Sequence, residues 1–253
     1  MYYILKTQFG FDPRVALRSL QGMPRYIRDF ARFRSTYPGR FLVLPCVHDW
    51  YEEGGTTKSE YFWQDLLVAR MIFANKPDKH VDVGSRVDGF IAHVASFREI
   101  EVFDIRPIER QIPGVSFRQA DLMSTVESIT EYCDSLSCLH ALEHFGLGRY
   151  GDTIDPMGFE RGFANMARLL RKNGTFYLSV PVGVDRVEFN AHRVFDPRVI
   201  IDLGAQLSLS LQSLILIHPD GKVETVAHVE AQLLDLARQQ YTLGLFVFKR
   251  SVK

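Results

Sequence analysis

Cysteine is scarce. Cys46, Cys133 and Cys138 are the three in 253 residues, an odd number with no C-x-x-C spacing, so neither a disulfide framework nor a cysteine zinc site is indicated and buried thiols are expected. No apolar run approaches the ~20 residues that cross a bilayer. The opening MYYILKTQFG lacks the basic, apolar and small-residue regions of a secretion signal, so a cytoplasmic chain is expected. Net charge is missing too, with 30 Lys and Arg against 30 Asp and Glu. Internal repeats and low-complexity tracts are absent. What is there, 46% hydrophobic and 24% charged residues, is ordinary for a globular protein, and the length suits one α/β domain with an extension.

The charge balance is not local. Up to Arg40 the basic residues are Lys6, Arg14, Arg18, Arg25, Arg28, Arg32, Arg34 and Arg40, opposed only by Asp12 and Asp29. Such asymmetry marks an anionic partner or a membrane surface, or else docking against the acidic remainder or plain solvation; both readings stay open. Nucleic acid is not expected, because the arginines lie on an amphipathic pattern without interleaved stacking aromatics. The apolar spacing from Pro13 to about Phe33 predicts two short helices broken near Gly22 and Pro24. RFLVLPCV reads as a strand stopped by Pro45, and HDWYEEGGTT as a polar loop able to fold over a ligand as a lid. Residues 1–56 are thus expected to form a basic helical extension with a lid loop, and 57–253 the main domain.

KSEYFWQDLLVARMIFAN predicts a helix capped by Ser59. Beyond KPDK, short apolar strands alternate with helical stretches: HVDV, a helix from about Val87 to Ser96, EIEVFDI, VSFRQA, a weak helix STVESITEY, SLSCL, a strong helix PMGFERGFANMARLLRKNG closing on Gly174, and TFYLSVPV. Five strands with crossovers imply a parallel sheet covered on both faces. LSLQSLILIH and YTLGLFVFKR add further strands, the latter the last.

In such sheets ligands bind beyond the carboxyl ends of the strands, so the residues there decide the chemistry. After the first stand Gly84, Ser85, Arg86 and Gly89, where a tight turn feeds a helix N-terminus with free N–H groups. After the second stand Asp104 and Ile105, a carboxylate placed to accept from both hydroxyls of a ribose. After the third stand Asp121 and Leu122, which can reach an adenine edge. After the fourth, Leu139 and His140 flank the cleft.

This order resembles the class I S-adenosylmethionine-dependent methyltransferases from about Tyr61 to the C-terminus. The acid in VDVG, the acidic end of EVFDIRP, the QADL turn, LHALEHFG and LLRKNGTFYLSVPVG match that superfamily's successive motifs, and GLFVFKR resembles its reversed seventh strand. The resemblance implies a Rossmann-like, mostly parallel seven-stranded sheet with a reversed last strand, and S-adenosylmethionine as cofactor with S-adenosylhomocysteine as product. VGSRVDGF, DIRP and FNAHRVFDP further resemble a small bacterial methyltransferase-like family of unknown function, commonly associated with surface-polysaccharide genes. That implies a sugar or glycan acceptor, and a glycosyltransferase or a lipid-linked glycan as company for the basic N-terminus. The turn departs from the superfamily, with Arg86 and Asp88 where glycines are usual. Arg86 then either pairs with the cofactor's carboxylate or blocks the site and leaves a non-catalytic scaffold.

Methyl transfer to a hydroxyl needs alignment and a base. His144, then His192 and His140, are the candidates. Asn190 and Arg193, after the fifth strand, and Tyr51 of the lid are candidate acceptor contacts, with Asp196 capping the next helix. One of the rings Tyr61, Phe62 and Trp63 could border the cofactor. Two other chemistries compete. HALEH fits H-x-x-E-H, a zinc-hydrolase pattern if it lies on a helix, and GSRVDG keeps the first and last glycine of a dinucleotide turn. Asp152 and Asp155 are available to a divalent metal, without specific spacing.

Overall fold

The computed structural model describes residues 6, 9–52, 54–55, 57–124, 129–227 and 229–252. The chain forms two compact units, Met1–Thr56 and Thr57–Lys253.

In the first unit one helix, α1 (Pro13–Thr36), replaces the two expected. The Asp12 side chain accepts from the Arg14 N–H at 2.9 Å, and Pro13 opens the first turn where its missing N–H is not needed. Pro24 removes one rung without breaking the helix. The apolar residues on either side stay in phase, and the packing they make outweighs the lost rung. Gly22 is buried because the Val47 carbonyl lies where a side chain would go. RFLVLPCV forms no strand: it has no ladder partner, and Leu42 and Leu44 are largely exposed. Phe41 instead packs on Phe30 at 5.3 Å between ring centres, and Arg25 lies 3.1 Å over the Trp50 ring.

In the second unit α2 (Glu60–Asn75) begins at Ser59, whose hydroxyl accepts from the Tyr61 N–H at 3.3 Å. The strands β1 (His80–Val83), β2 (Ile100–Asp104), β3 (Val115–Gln119), β4 (Cys133–Leu139), β5 (Leu170–Val182), β8 (Leu209–Ile217), β9 (Val223–Val226) and β10 (Thr242–Arg250) form one sheet, ordered β3-β2-β1-β4-β5-β10-β8-β9. A separate hairpin pairs β6 (Arg186–Glu188) with β7 (His192–Val194). β1 to β5 run parallel, and β10 is antiparallel to both β5 and β8. The reversed last strand is therefore present, but the sheet has eight strands and not seven. The extra one is β9, folded back on β8 through a turn in which His218 donates to the Lys222 carbonyl and Gly221 has φ 88°.

Both faces are covered. Val68 and Ile72 of α2, with Phe90, Ile91 and Val94 of the π turn Val87–Ile91 and α3 (Ala92–Ala95), pack on Tyr177 and Leu245. On the other face Phe163 and Met166 of α4 (Gly158–Leu169), Ile200 of α5 (Pro197–Gln206) and Leu233 of α6 (Glu230–Leu236) meet Phe176, Phe246 and Phe248. α4 stops at Leu169, short of Gly174. Arg168 and Leu169 carbonyls accept from the Glu131 and Tyr132 N–H groups at 2.9 and 2.7 Å, which draws the chain into β5 and leaves residues 171–174 as a bulge opposite β4. The centre of the expected helix STVESITEY, residues 125–128, lies outside the described residues. Strand order reverses between β1 and β4, which opens a crevice at their carboxyl ends.

Candidate functional site

A cleft of about 810 Å³, counted to its open mouth, lies at that crevice. Gly84 forms its floor with φ 71° and its N–H on the Phe103 carbonyl at 2.9 Å; a side chain there would press on the Ala141 methyl. Only glycine meets both demands without strain.

The turn after β1 is held from behind. Asp82 is fully buried and accepts from the Ser137 hydroxyl at 2.5 Å, the Ser85 hydroxyl at 2.6 Å and the Ser85 N–H at 3.0 Å. Ser85 Oγ in turn accepts from the Leu139 N–H at 3.1 Å, tying the turn to the end of β4. His80 extends the chain, with Nδ1 2.8 Å from the Ser135 hydroxyl and Nε2 3.1 Å from that of Ser137. Because Ser137 already donates to Asp82, Nε2 carries the His80 proton and Ser135 donates to Nδ1. Burial pushes the Asp82 carboxyl up to about 6, against the pull of its hydroxyl donors, and pushes His80 down to about 3.

The carboxylates expected at the cleft are there, but engaged. Asp104 accepts from the Arg106 N–H, Nε and a terminal guanidinium nitrogen at 2.8, 3.1 and 2.8 Å. Arg106 also lies 4.3 Å over the Tyr150 ring, and Arg149 lies 5.1 Å from that ring. Asp121 accepts from the Met123 N–H at 2.8 Å, with one oxygen 3.3 Å from the Ser124 hydroxyl. Arg86 lines the cleft, yet its guanidinium is paired bidentately with Asp88 at 3.0 and 2.7 Å.

The HALEH segment is not helical. His140 has φ 53°, and Leu142–His144 is a single 3₁₀ turn, so the shared helix face that a zinc-hydrolase site requires does not form. Among the described residues no three His, Cys, Asp or Glu groups converge to hold a metal. Asp152 instead accepts from the Gly146 and Gly148 N–H groups at 2.8 and 3.0 Å, and Asp155 from the Met157 N–H at 3.0 Å.

The segment builds a buried dyad. His140 stacks on Tyr61 at 4.4 Å between ring centres, and its Nδ1 is 2.7 Å from a Glu143 oxygen. Their side chains are 6% and 1% exposed, and neither His140 Nε2 nor the second Glu143 oxygen finds a partner among the described residues. Burial alone would raise the Glu143 carboxyl, but the neighbouring His140 and His144 outweigh it and hold Glu143 below its usual range. Burial lowers His144, which Glu143 only partly offsets. His144 donates Nδ1–H to the Ala191 carbonyl at 2.7 Å, and its Nε2 faces Glu143 at 3.8 Å. Burial, with the charge of Glu143, raises the Tyr61 hydroxyl well above its usual range, so it stays protonated.

Gly84, Arg86, Asp104, Ile105, Asp121, Leu122, His140 and His144 thus line one cleft, and Tyr61 borders it. The other expected residues of this unit do not line it. Ser85 and Leu139 are buried behind it, and Gly89 packs against the Asp65 carboxylate of α2. Arg193 is a buried strut and not an acceptor contact: it donates to the Glu143, Phe145 and Pro156 carbonyls at 3.4, 2.5 and 3.2 Å. Asn190 is exposed at the tip of the β6–β7 hairpin, where His192 Nε2 stands 3.6 Å from Glu188. Tyr51 belongs to the first unit, in the 3₁₀ turn Asp49–Tyr51. Sequence reading missed Arg106, Tyr150 and the Glu143 partnership as site features, and marked Asp82 only as the acid of VDVG. The arginine of DIRP two places after Asp104 and the acid of HALEH were the available signals.

Residues 99–203 match the model of a family described as Caenorhabditis protein of unknown function, DUF268. No curated protein matches the chain. Among solved structures the chain is similar to a Burkholderia thailandensis 1,6-didemethyltoxoflavin-N1-methyltransferase with bound 1,6-didemethyltoxoflavin and S-adenosylhomocysteine, with 13% identity, 80% of each chain covered and a TM-score of 0.54. It is also similar to the [4+2]-cyclase SpnF, with 12% identity over 75% of this chain and 82% of that one and a TM-score of 0.52. The YcgJ protein of Bacillus subtilis shows 13% identity over 75% of this chain and 99% of its own, with a TM-score of 0.53. At these identities the likeness establishes the Rossmann-like fold of the methyltransferases.

Proposed function

We propose that the second unit binds S-adenosylmethionine in the cleft and directs its methyl group to an oxygen of a sugar or surface-glycan precursor. The observation that carries the cofactor reading is the convergence of the Gly84 turn, Asp104 and Asp121 from three successive strand ends on one cleft. Support comes from the fold shared with the Burkholderia enzyme, whose structure holds S-adenosylhomocysteine. The residues fit the group. Asp104 offers two carboxylate oxygens to the ribose hydroxyls, Asp121 sits where an adenine edge would pass, and Gly84 leaves the backbone approachable. When bound, S-adenosylmethionine supplies a methyl group on a positively charged sulfur.

The chain's own part is alignment and the proton. Glu143 accepts the Nδ1–H of His140, which leaves a lone pair on the buried Nε2. Once binding opens the site enough to uncover it, His140 Nε2 takes the acceptor's hydroxyl proton, and ionised Glu143 stabilises the imidazolium that forms. His140 is preferred to His144 because the His144 Nε2 faces the Glu143 carboxylate at 3.8 Å, whereas the His140 Nε2 has no partner among the described residues. The sugar part of the reading rests on the resemblance of VGSRVDGF, DIRP and FNAHRVFDP, and Arg86, Arg106 and Arg149 at the cleft suit a phosphorylated precursor. A cytoplasmic location belongs to the same reading.

One observation favours a second reading, a non-catalytic scaffold: Asp104 and Arg86 are already paired with Arg106 and Asp88. Titration calorimetry of the purified chain with S-adenosylmethionine and S-adenosylhomocysteine separates the two. One-site micromolar binding, weakened ~tenfold or more in Asp104→Ala by loss of two charge-assisted hydrogen bonds, is the expected result. No binding to either by folded protein overturns the cofactor reading and leaves the scaffold.

A further inference from the structure

Helix α1 carries three stripes. At about 100° per residue, Val15, Gly22, Tyr26, Phe30 and Phe33 fall on one side and face residues 41–50 of their own unit: Phe30 and Phe33 meet Phe41 at 5.3 and 5.9 Å, and Gly22 meets Val47. Leu17, Leu20, Met23 and Ile27 fall on another side, where Leu20 is 70% and Ile27 59% exposed. Arg14, Arg18, Arg25, Arg28 and Arg32 form the third stripe, between the two. Asp29, which accepts from Arg25 and Arg28, is the one acid from Pro13 to Thr36, against six arginines.

An aliphatic stripe left in water beside a row of guanidinium groups is the surface of a helix that lies in a lipid headgroup layer. We propose that α1 docks this surface on an anionic lipid bilayer, the leucine and isoleucine side chains entering the acyl boundary and the arginines meeting headgroup phosphates. Charge complementarity selects the lipid sign. The exposed aliphatics favour lipid over nucleic acid, which offers them nothing to be buried in and takes aromatic stacking instead. No described helix is long and apolar enough to cross a membrane, so the attachment is to one leaflet. This inference does not depend on what the second unit binds.

The test uses the full chain and extruded vesicles, with co-sedimentation as the readout. The chain should sediment with phosphatidylglycerol-containing vesicles and bind phosphatidylcholine vesicles ~tenfold or more weakly, with affinity falling as salt rises. Leu20→Gln combined with Ile27→Gln should release it at an unchanged melting temperature, since both side chains are exposed, and Arg18→Gln combined with Arg32→Gln should weaken only the anionic preference. Failure to sediment with anionic vesicles overturns the proposal. So does wild-type binding by the Leu20, Ile27 variant, or single-stranded nucleic acid bound equally well by that variant and the wild type.

Discussion

Asp104 already accepts three hydrogen bonds from Arg106, two on Oδ1 and one on Oδ2, so both oxygens reach a ribose only if Arg106 shifts, and the Tyr150 ring beneath the guanidinium gives it a place to stay. A carboxylate reserved this way fits a site that orders on binding. His140 presents a sharper question, because its free nitrogen is useful only if Glu143 keeps the other one protonated. With methyl-labelled S-adenosylmethionine and a panel of sugar phosphates, His140→Gln should bind cofactor as tightly as wild type but transfer label ~10²-fold or more slowly. The corresponding His144 variant should fall less, and equal losses in the two would remove the base assignment from His140. The glycine at 84, the acids at 104 and 121 and the histidine at 140 are readable from sequence, since each stands at or within two residues of a strand's carboxyl end. The pairings of Arg86 and Arg106 are not, because nothing in a linear pattern says which carboxylate an arginine will meet.

At the scale of elements, Arg193 shows how a polar residue can be misread. It sits in a loop-like stretch after β5, yet β7 turns it inward beneath the turn after β4, where it donates to three carbonyls. Arg193→Met should therefore cost about 2–4 kcal/mol in a urea melt, because buried acceptors lose their donor, while cofactor affinity in calorimetry stays within a few-fold. A variant as stable as wild type would restore the acceptor-contact role. The same lesson explains α1 and α4. Pro24 and Gly174 are punctuation to a sequence reader, but a helix in phase with its packing face tolerates the first, and hydrogen bonds from Glu131 and Tyr132 end the other helix before the second is reached.

Across the second unit as a whole, the polar chain His80–Ser137–Asp82–Ser85 runs through the middle of the sheet and couples stability to pH with two opposite signs. His80, lowered to about 3 by burial, contributes stability fully present above its unfolded value near 6.5 and lost as pH falls through 3, about 5 kcal/mol in all. Asp82, raised to about 6 by burial, contributes stability fully present below its unfolded value of 3.8 and lost as pH rises through 6, about 3 kcal/mol. The histidine is the larger, so the chain should weaken on acidification. Between pH 7 and pH 4 the histidine loses about 3 kcal/mol while the aspartate gains nearly as much, so the measured melting temperature should fall only slightly for wild type, hold or rise for His80→Gln and fall steeply for Asp82→Asn. Parallel curves for all three would show that the pair does not govern acid stability.

The sequence by itself determined the alternation of strands and helices and the places where acids stand at strand ends, because these depend on local periodicity and on which residues bound an apolar run; the reversal of the last strand was legible only through the resemblance of GLFVFKR. Tertiary structure decided the rest. It added β9, whose pairing exists only beside β8; it dissolved the RFLVLPCV strand, which had no neighbour to bond. It also sorted the candidates, keeping Asp104, Asp121 and His140 at the cleft and burying Ser85, Leu139 and Arg193. Whether a polar side chain meets a ligand or a carbonyl is a matter of distance in three dimensions, and local sequence does not record it.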